Sequence, residues 1–226
     1  MDPYRDLPLP RTPLALEAIR FARSVEDVSI FNHSMRTYLY GRLLGEQRGL
    51  RPGHDYDDEL LFLGCVLHDL GLSEPGDGEQ RFDLDGADLA ADWLTRRGLA
   101  PEKVEVVWDA IALHLVHDIA CRKRPEIALV TIGAGYDLGL AGPALPAEYT
   151  GRVDAALPRL HAAAVLRDAI VAQATAKPHK APPFSLPGEL VRQVTGRSWP
   201  TWRDMTNGAD WDGYAGHRTG GTAPPA

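Results

Sequence analysis

The sequence predicts an all-α fold, a helical bundle followed by an irregular C-terminal extension. Two observations carry this. Apolar residues recur at spacings of three and four through most of the first 176 positions. Period-2 runs are absent, and no Asn-Gly or Asp-Gly turn separates two alternating apolar stretches.

The first convincing helix spans about 25–47 and ends at Gly49, with Pro52-Gly53 beyond. Its stripe is Val28, Phe31, Met35 and Leu39, widened by Ile30, Leu43 and Leu44, which suits a central helix. A second helix is expected over 57–70, with Asp57 or Asp58 as cap and Gly71 at the left-handed C-terminal position. Its apolar run, residues 60–67, also fits a buried strand, but length and caps favour helix. Pro75, Gly76, Asp77 and Gly78 then form a loop. Further helices are expected at 86–97, 101–118, 125–138 and 157–176, with Pro101 and Pro125 in first turns.

From Lys177 the composition changes. Pro178, Pro182, Pro183 and Pro187 mark irregular chain, with room for a short helix near 188–195. The Gly/Pro/Ala-rich tail 219–226 is expected to be disordered. The organisation is therefore an N-terminal segment (1–24), a helical core (25–176) and an extension (177–226). Trp199, Trp202 and Trp211 are expected to pin the extension to the core; a pocket wall or a subunit contact in a homo-oligomer is the alternative.

Composition narrows the function. There are 24 basic and 31 acidic residues, a net charge of −7, and only four of the cations are lysine. Nucleic acids and anionic membranes are recognised through clustered Lys and Arg, so neither is an expected partner. The longest apolar run is far below the roughly 20 residues that a membrane helix needs. No basic segment leads into an apolar stretch at the N-terminus, and two cysteines form no disulfide framework, so a cytoplasmic protein is expected.

Three His-Asp dipeptides occur. His54-Asp55 lies in a polar loop. His117-Asp118 closes an expected helix, where an imidazole favours the negative end of the dipole. His68-Asp69 follows the apolar run directly, where burial of both groups is costly unless they pair or bind a metal. A plain buried His–Asp hydrogen bond is one answer. Two other helices carry polar residues in similar settings. His33 shares a stripe with Arg36 and Tyr40 at i, i+3 and i+7. Asp137 lies at the far end of an apolar helix, above Val130, Gly133 and Ala134, whose small side chains permit close approach to a neighbour. His114 points at the core beside Val104, Val107, Ile111 and Leu115. A zinc site of His114, His117 and Cys121 would leave one side facing solvent and is disfavoured. Asp85 and Glu74 read as solvated loop charges.

His33, His68-Asp69 and Asp137 resemble the H…HD…D metal-ligand set of the HD-domain superfamily. The words Asn32-His33-Ser34-Met35-Arg36-Thr37-Tyr38, Leu67-His68-Asp69-Leu70-Gly71 and Ala110-Ile111-Ala112-Leu113-His114 resemble its cyanamide hydratase branch. The likeness covers about 25–176 and departs from the fungal hydratases between Arg81 and Ala90, where Gly86-Ala87-Asp88-Leu89 holds no histidine. It implies an HD-domain helical bundle with His33, His68, Asp69 and Asp137 around one divalent ion at its centre. Two imidazoles and two carboxylates suit zinc, and iron, manganese, cobalt or nickel fit the same ligand types. Such an ion lowers the pKa of its bound water to about 7.

The implied activity is hydration of a small C≡N substrate, cyanamide or a nitrile, by metal-activated water. Asp69 and His114 are the catalytic candidates, with His114 also readable as a core histidine or a further ligand. Arg36 and Tyr40 are candidate substrate contacts, Arg36 being alternatively the salt-bridge partner of a ligand carboxylate. The competing activity is phosphohydrolysis of a nucleotide or another phosphate ester. That chemistry needs cations at the phosphoryl oxygens, and those near the motifs are limited to Arg36, Arg81, Arg122 and Lys123. A non-catalytic scaffold is the third reading, disfavoured because buried ligands are costly to keep idle.

Overall fold

Thr12 and Pro13 start the first helix, α1 (Pro13–Val25). The Thr12 hydroxyl accepts the Ala15 N–H, and a proline in the first turn gives up a donor that had no partner. The computed structural model describes Tyr4 and residues 7–140 and 142–206. Among these there are eleven α-helices and no strand; Pro52 and Tyr56 form one isolated bridge. None of these helices is long and apolar enough to cross a membrane.

Helix α2 (Val28–Gln47) follows after two residues, capped by the Asp27 carboxylate on the Ser29 N–H at 2.8 Å. It is buried almost continuously from Ser29 to Gly41, as a central helix must be. Helix α3 (Asp58–Leu67) is capped by Asp57, and every residue from Leu60 to Leu67 is buried. The uninterrupted apolar run is thus a helix enclosed on all sides. Helix α4 (Phe82–Thr95) packs on α5 (Pro101–Ala112) and on the 3-10 turn Leu70–Leu72. A short α6 (His117–Ala120) leads into α7 (Pro125–Asp137), which lies against α2, α3 and α5. Helices α8 (Ala147–Ala156), α9 (Ala162–Ala176), α10 (Leu186–Thr195) and α11 (Trp202–Thr206) complete the order.

The α2–α7 crossing sets up the site. A Cβ on Gly133 would lie 2.1 Å from the Thr37 carbonyl oxygen, and one on Gly41 would lie 2.6 Å from that of Leu129. The two backbones therefore touch, as the small residues under Asp137 predict. This contact brings the end of α7 alongside His33 and Arg36.

Several boundaries differ from expectation. The first expected helix starts at 25, yet α1 precedes it, packs on α3 and buries Ala15, Ala18 and Ala22. Helix α3 stops at Leu67, so His68 and Asp69 stand just beyond its last turn. Gly71 does not take the left-handed conformation; its lack of a side chain serves contact, since a Cβ there would fall 1.8 Å from the Phe82 carbonyl oxygen. Helix α4 begins four residues early, and α5 ends at Ala112, so His117 opens α6 rather than closing a helix. The helix expected at 157–176 starts only at Ala162. Pro158 disfavours helical backbone at Leu157, and Leu160 and His161 turn the chain at φ 47° and 60°.

The extension is tied down by charge more than by tryptophan. The Trp202 side chain is 77% exposed, Trp199 lies near Gly188 of α10, and Trp211 and the tail 219–226 fall outside the described residues. Lys180, only 2% exposed, meets Asp85 at 2.9 Å and Asp77 at 2.6 Å. Asp85 is thus not a solvated loop charge but half of a buried ion pair.

Candidate metal centre

His68 and His114 reach the centre by the same local device. Each follows the end of a helix, where the last carbonyls lack intrahelical partners. His68 Nδ1 donates to the Cys65 carbonyl at 2.7 Å, and His114 Nδ1 to that of Ile111 at 2.6 Å. Both rings are thereby fixed with Nε2 turned inward. His33 is held from the other side, its Nδ1 lying 2.7 Å from Asp137 Oδ2. A carboxylate partner requires the proton on Nδ1, which frees the Nε2 lone pair.

Three side chains converge. His33, His68 and Asp69 each present a ligand atom, and these atoms all lie within 4.8 Å of one another. Asp69 Oδ2 is 3.2 Å from His68 Nε2 and 3.7 Å from His33 Nε2. Nitrogen and oxygen ligands at about 2.0–2.2 Å in a tetrahedron stand roughly 3.3–3.6 Å apart, so these separations suit one first-row divalent ion. The residues are 1%, 1% and 2% exposed.

The fit of a cation rests on an orphan. Asp69 Oδ2 is buried and has no hydrogen-bond partner among the described residues, an arrangement that folded proteins rarely leave unexplained. Burial raises the Asp69 pKa, opposed by His33 and His114. Burial, and then the charge of His33, pushes His68 down to about 3, so it is neutral near pH 7. A neutral imidazole and a carboxylate in need of positive charge are a sound donor set for a divalent cation.

Asp137 does not join the converging atoms. Arg36, the bulkiest wholly buried side chain, grips it with Nε on Oδ1 at 2.7 Å and Nη2 on Oδ2 at 2.8 Å. Arg159 adds a contact to Oδ1 at 3.0 Å. Burial alone would raise this carboxyl, but the hydrogen bonds from His33 and Arg36 outweigh it and hold the pKa well below the usual range. Asp137 therefore orients His33 from behind.

Arg36 is the salt-bridge partner of Asp137. Its remaining contacts go to the Leu157 and Pro158 carbonyls at 2.9 and 3.2 Å, both freed by the break before α9. Tyr40 is not brought to the cluster either. It lies about 10 Å further along α2, its hydroxyl directed at Asp154 and Arg159.

His114 extends the row. Its ring meets that of His68 edge-on at 5.0 Å, and Phe82 flanks it at 5.8 Å. It lies outside the three-residue group, and its Nε2 has no hydrogen-bond partner among the described residues. Burial, and then the neighbouring His68, lowers it to about 4. The other histidine motifs stay apart. His54-Asp55 is held at the surface by Arg51, and His117 and Cys121 contact each other on an exposed face. A cleft of about 630 Å³ lined by residues 53–59 and 124–126 opens at the other end of α3, about 15 Å from the cluster by helix rise.

The family model for the HD domain matches residues 30–142, half of the chain. The chain belongs to the HD domain family. It is a family of metal-dependent hydrolases, and His33, His68 and Asp69 are a candidate divalent-metal site of the kind typical of it. The match identifies no branch within the family. No curated protein matches the chain.

Sequence reasoning missed three contributors to this HD site. Arg159 reaches Asp137 only because the chain turns at 157–161. Asp83 is fully buried, held by Arg81, and acts on His114. Glu26, in the link between α1 and α2, buries both carboxylate oxygens without a hydrogen-bond partner among the described residues, and the charge that acts on it is that of Asp69. The pair Thr12-Pro13 and the spacing of Ala15, Ala18 and Ala22 are the signal that could have found α1, but nothing local marks Glu26 as buried.

Proposed function

We propose that this HD protein is a metal-dependent hydratase that adds water to a small C≡N compound such as cyanamide or a nitrile. One observation supports a neutral substrate above all: the cations around the centre are already paired. Arg36 is committed to Asp137, Arg159 to Asp137 and Asp154, and Arg81 to Asp83. A phosphate ester needs such groups at its oxygens. The near-complete burial of the cluster also favours a small ligand.

His33, His68 and Asp69 would hold the cation, zinc being the ion these donors suit best. A divalent cation there supplies Lewis acidity, making water nucleophilic near neutral pH. Asp137 keeps His33 in the tautomer that presents Nε2. His114, anchored through Nδ1, keeps Nε2 available to hold or deliver the proton that the substrate nitrogen takes up. Phe82 and the apolar ends of α3 and α5 limit water around that exchange.

Parallel turnover assays of the metal-loaded protein on cyanamide, acetonitrile and a nucleoside monophosphate panel test this reading. Hydration of a C≡N compound is expected. Efficient dephosphorylation with cyanamide and nitriles untouched would replace it with the phosphohydrolase reading.

A further inference from the structure

His33, His68 and Asp69 are no more than 2% exposed, yet an ion and a substrate must reach them, so one wall has to open. Helices α2 and α7 touch backbone to backbone at Gly41 and Gly133, and α3 is buried from Leu60 to Leu67. Neither contact parts without unfolding the core. Helix α9 closes the centre from another side and is held differently. The chain leading into it is anchored beside His33, where the Pro158 carbonyl accepts from Asn32 Nδ2 at 2.9 Å and Arg36 Nη1 at 3.2 Å. Its far end lies beside the other ligands: Gln173 Nε2 donates at 2.8 Å to the carbonyl of Gly71, two residues past Asp69. The helix therefore runs from the His33 side of the centre to the His68-Asp69 side, with Leu166 and Ile170 buried between.

Two features set this wall apart. Beyond Gln173, Ala174, Ala181 and Val191 gather with Val171 in an apolar cluster of their own, apart from the main core. What fastens that unit to the turn after Asp69 is polar. Lys180 Nζ meets Asp77 at 2.6 Å and Asp85 at 2.9 Å, and Lys177 Nζ donates to the Asp77 and Gly78 carbonyls at 2.9 Å each. At the opposite end Leu160 and His161 hold φ at 47° and 60°, a costly backbone conformation for non-glycine residues, placed where a hinge would be. We propose that α9 and α10 form a lid over the metal centre, hinged at Leu160-His161 and latched by Lys180 on Asp77 and Asp85, and that ion and substrate enter when the latch releases. Polar groups regain water on opening, and segments that move in function have few buried apolar contacts. None of the three converging ligands lies on the lid, so its closure governs the rate of exchange and not the affinity. The lid rests on the metal centre and not on the C≡N chemistry proposed above.

The test uses the zinc-loaded full chain, Lys180→Ala, and the double variant Gln173→Ala/Lys177→Ala, which spares the buried ion pair in case the first does not fold. Zinc uptake, and zinc loss to excess chromophoric chelator, are followed by stopped flow. Lys180→Ala should speed both by about 10–100-fold, the worth of one hydrogen bond to a charged group, and leave the equilibrium affinity within about threefold. The double variant should speed both by about fivefold or more. Unchanged rates would overturn the lid. So would faster release with an equal loss of affinity, which would mean that Lys180 supports the ligands rather than a moving wall.

A second arm needs no metal. Under hydrogen exchange read by mass spectrometry, the slowest amides of α9 and α10 in the wild type should exchange at least about tenfold faster than the slowest of α2 and α7. They should exchange faster again in Lys180→Ala. Equal protection would mean that the unit opens only with the whole fold, and would overturn the lid. If the wild type takes up no zinc, the metal reading falls and the exchange pattern alone decides whether the unit opens.

Discussion

Asp137 Oδ2 stands 2.7 Å from His33 Nδ1 while Arg36 clasps the same carboxylate through two nitrogens. An invariant tautomer follows from this pairing: the His33 proton is held on the far side, and Nε2 faces Asp69. Removing such a partner typically lowers metal affinity 10–100-fold. Asp137→Asn should therefore weaken metal binding by about that factor, measured by competition with a chromophoric chelator. Arg36→Ala should cost up to about 3 kcal/mol in urea unfolding, because it removes the two-nitrogen partner of a buried carboxylate and leaves Asp137 only the part-exposed Arg159 and His33. Unchanged metal affinity in Asp137→Asn would mean that His33 needs no orienting partner.

The neutral histidines make acid destabilising. In the unfolded chain His68 and His114 titrate near 6.5; folded, they resist protonation down to about 3 and about 4. Between those values the unfolded chain binds more protons, so stability is complete above pH 6.5 and falls as the pH drops toward 4. The depressed Asp137 acts in the same direction below its ordinary carboxylate range. The buried Asp69 and Glu26 carboxyls, raised by burial, act in the opposite direction, so the test is a difference: the urea midpoint of the metal-stripped protein should fall relative to that of metal-stripped His114→Phe between pH 7 and pH 4.5. A constant difference would contradict neutral burial of His114.

Lys180 reaches back some hundred residues to Asp77 and Asp85 and fastens the extension beside the turn that follows His68-Asp69. Gln173 reinforces this with a bond to the Gly71 carbonyl at 2.8 Å. Lys180→Ala should lower stability by about 3 kcal/mol, since Asp85 is left buried without its countercharge. Lys180→Arg should recover little, because the larger fork does not fit a site built for a point charge. Equal stability of wild type and Lys180→Ala in urea would show that the clamp is not energetically coupled to the fold.

His114→Ala separates three roles. Loss of a proton-handling group should leave metal and fold intact and reduce turnover by about 10²–10⁴-fold. A core histidine would instead lower the melting temperature and spare the activity of the folded fraction. A further ligand would take metal and activity down together. The first result is expected, since Nε2 of His114 has no partner among the described residues and stands outside the three converging ligands.

Much of the centre was legible because polar residues interrupt apolar helices. His68-Asp69 after an eight-residue apolar run, and Asp137 above Gly133, announce burial from local sequence alone. What was not legible depends on chain reversal. The separation of Asp137 from the ligand trio is decided by Arg36, whose other partners are carbonyls exposed by the break at Leu157-Pro158. The Asp85–Lys180 pair joins distant segments, and each residue alone reads as surface charge. Helix α8 buries only Val153, so it leaves almost no periodic signal.

The central claim is that His33, His68 and Asp69 hold one divalent ion. Elemental analysis of the reconstituted protein, beside His68→Ala shown to be folded by circular dichroism, tests it most directly. About one equivalent in the wild type and almost none in the variant is predicted for a site that loses one of its three protein ligands. Well under half an equivalent in the reconstituted wild type, or equal metal in both proteins, would contradict it.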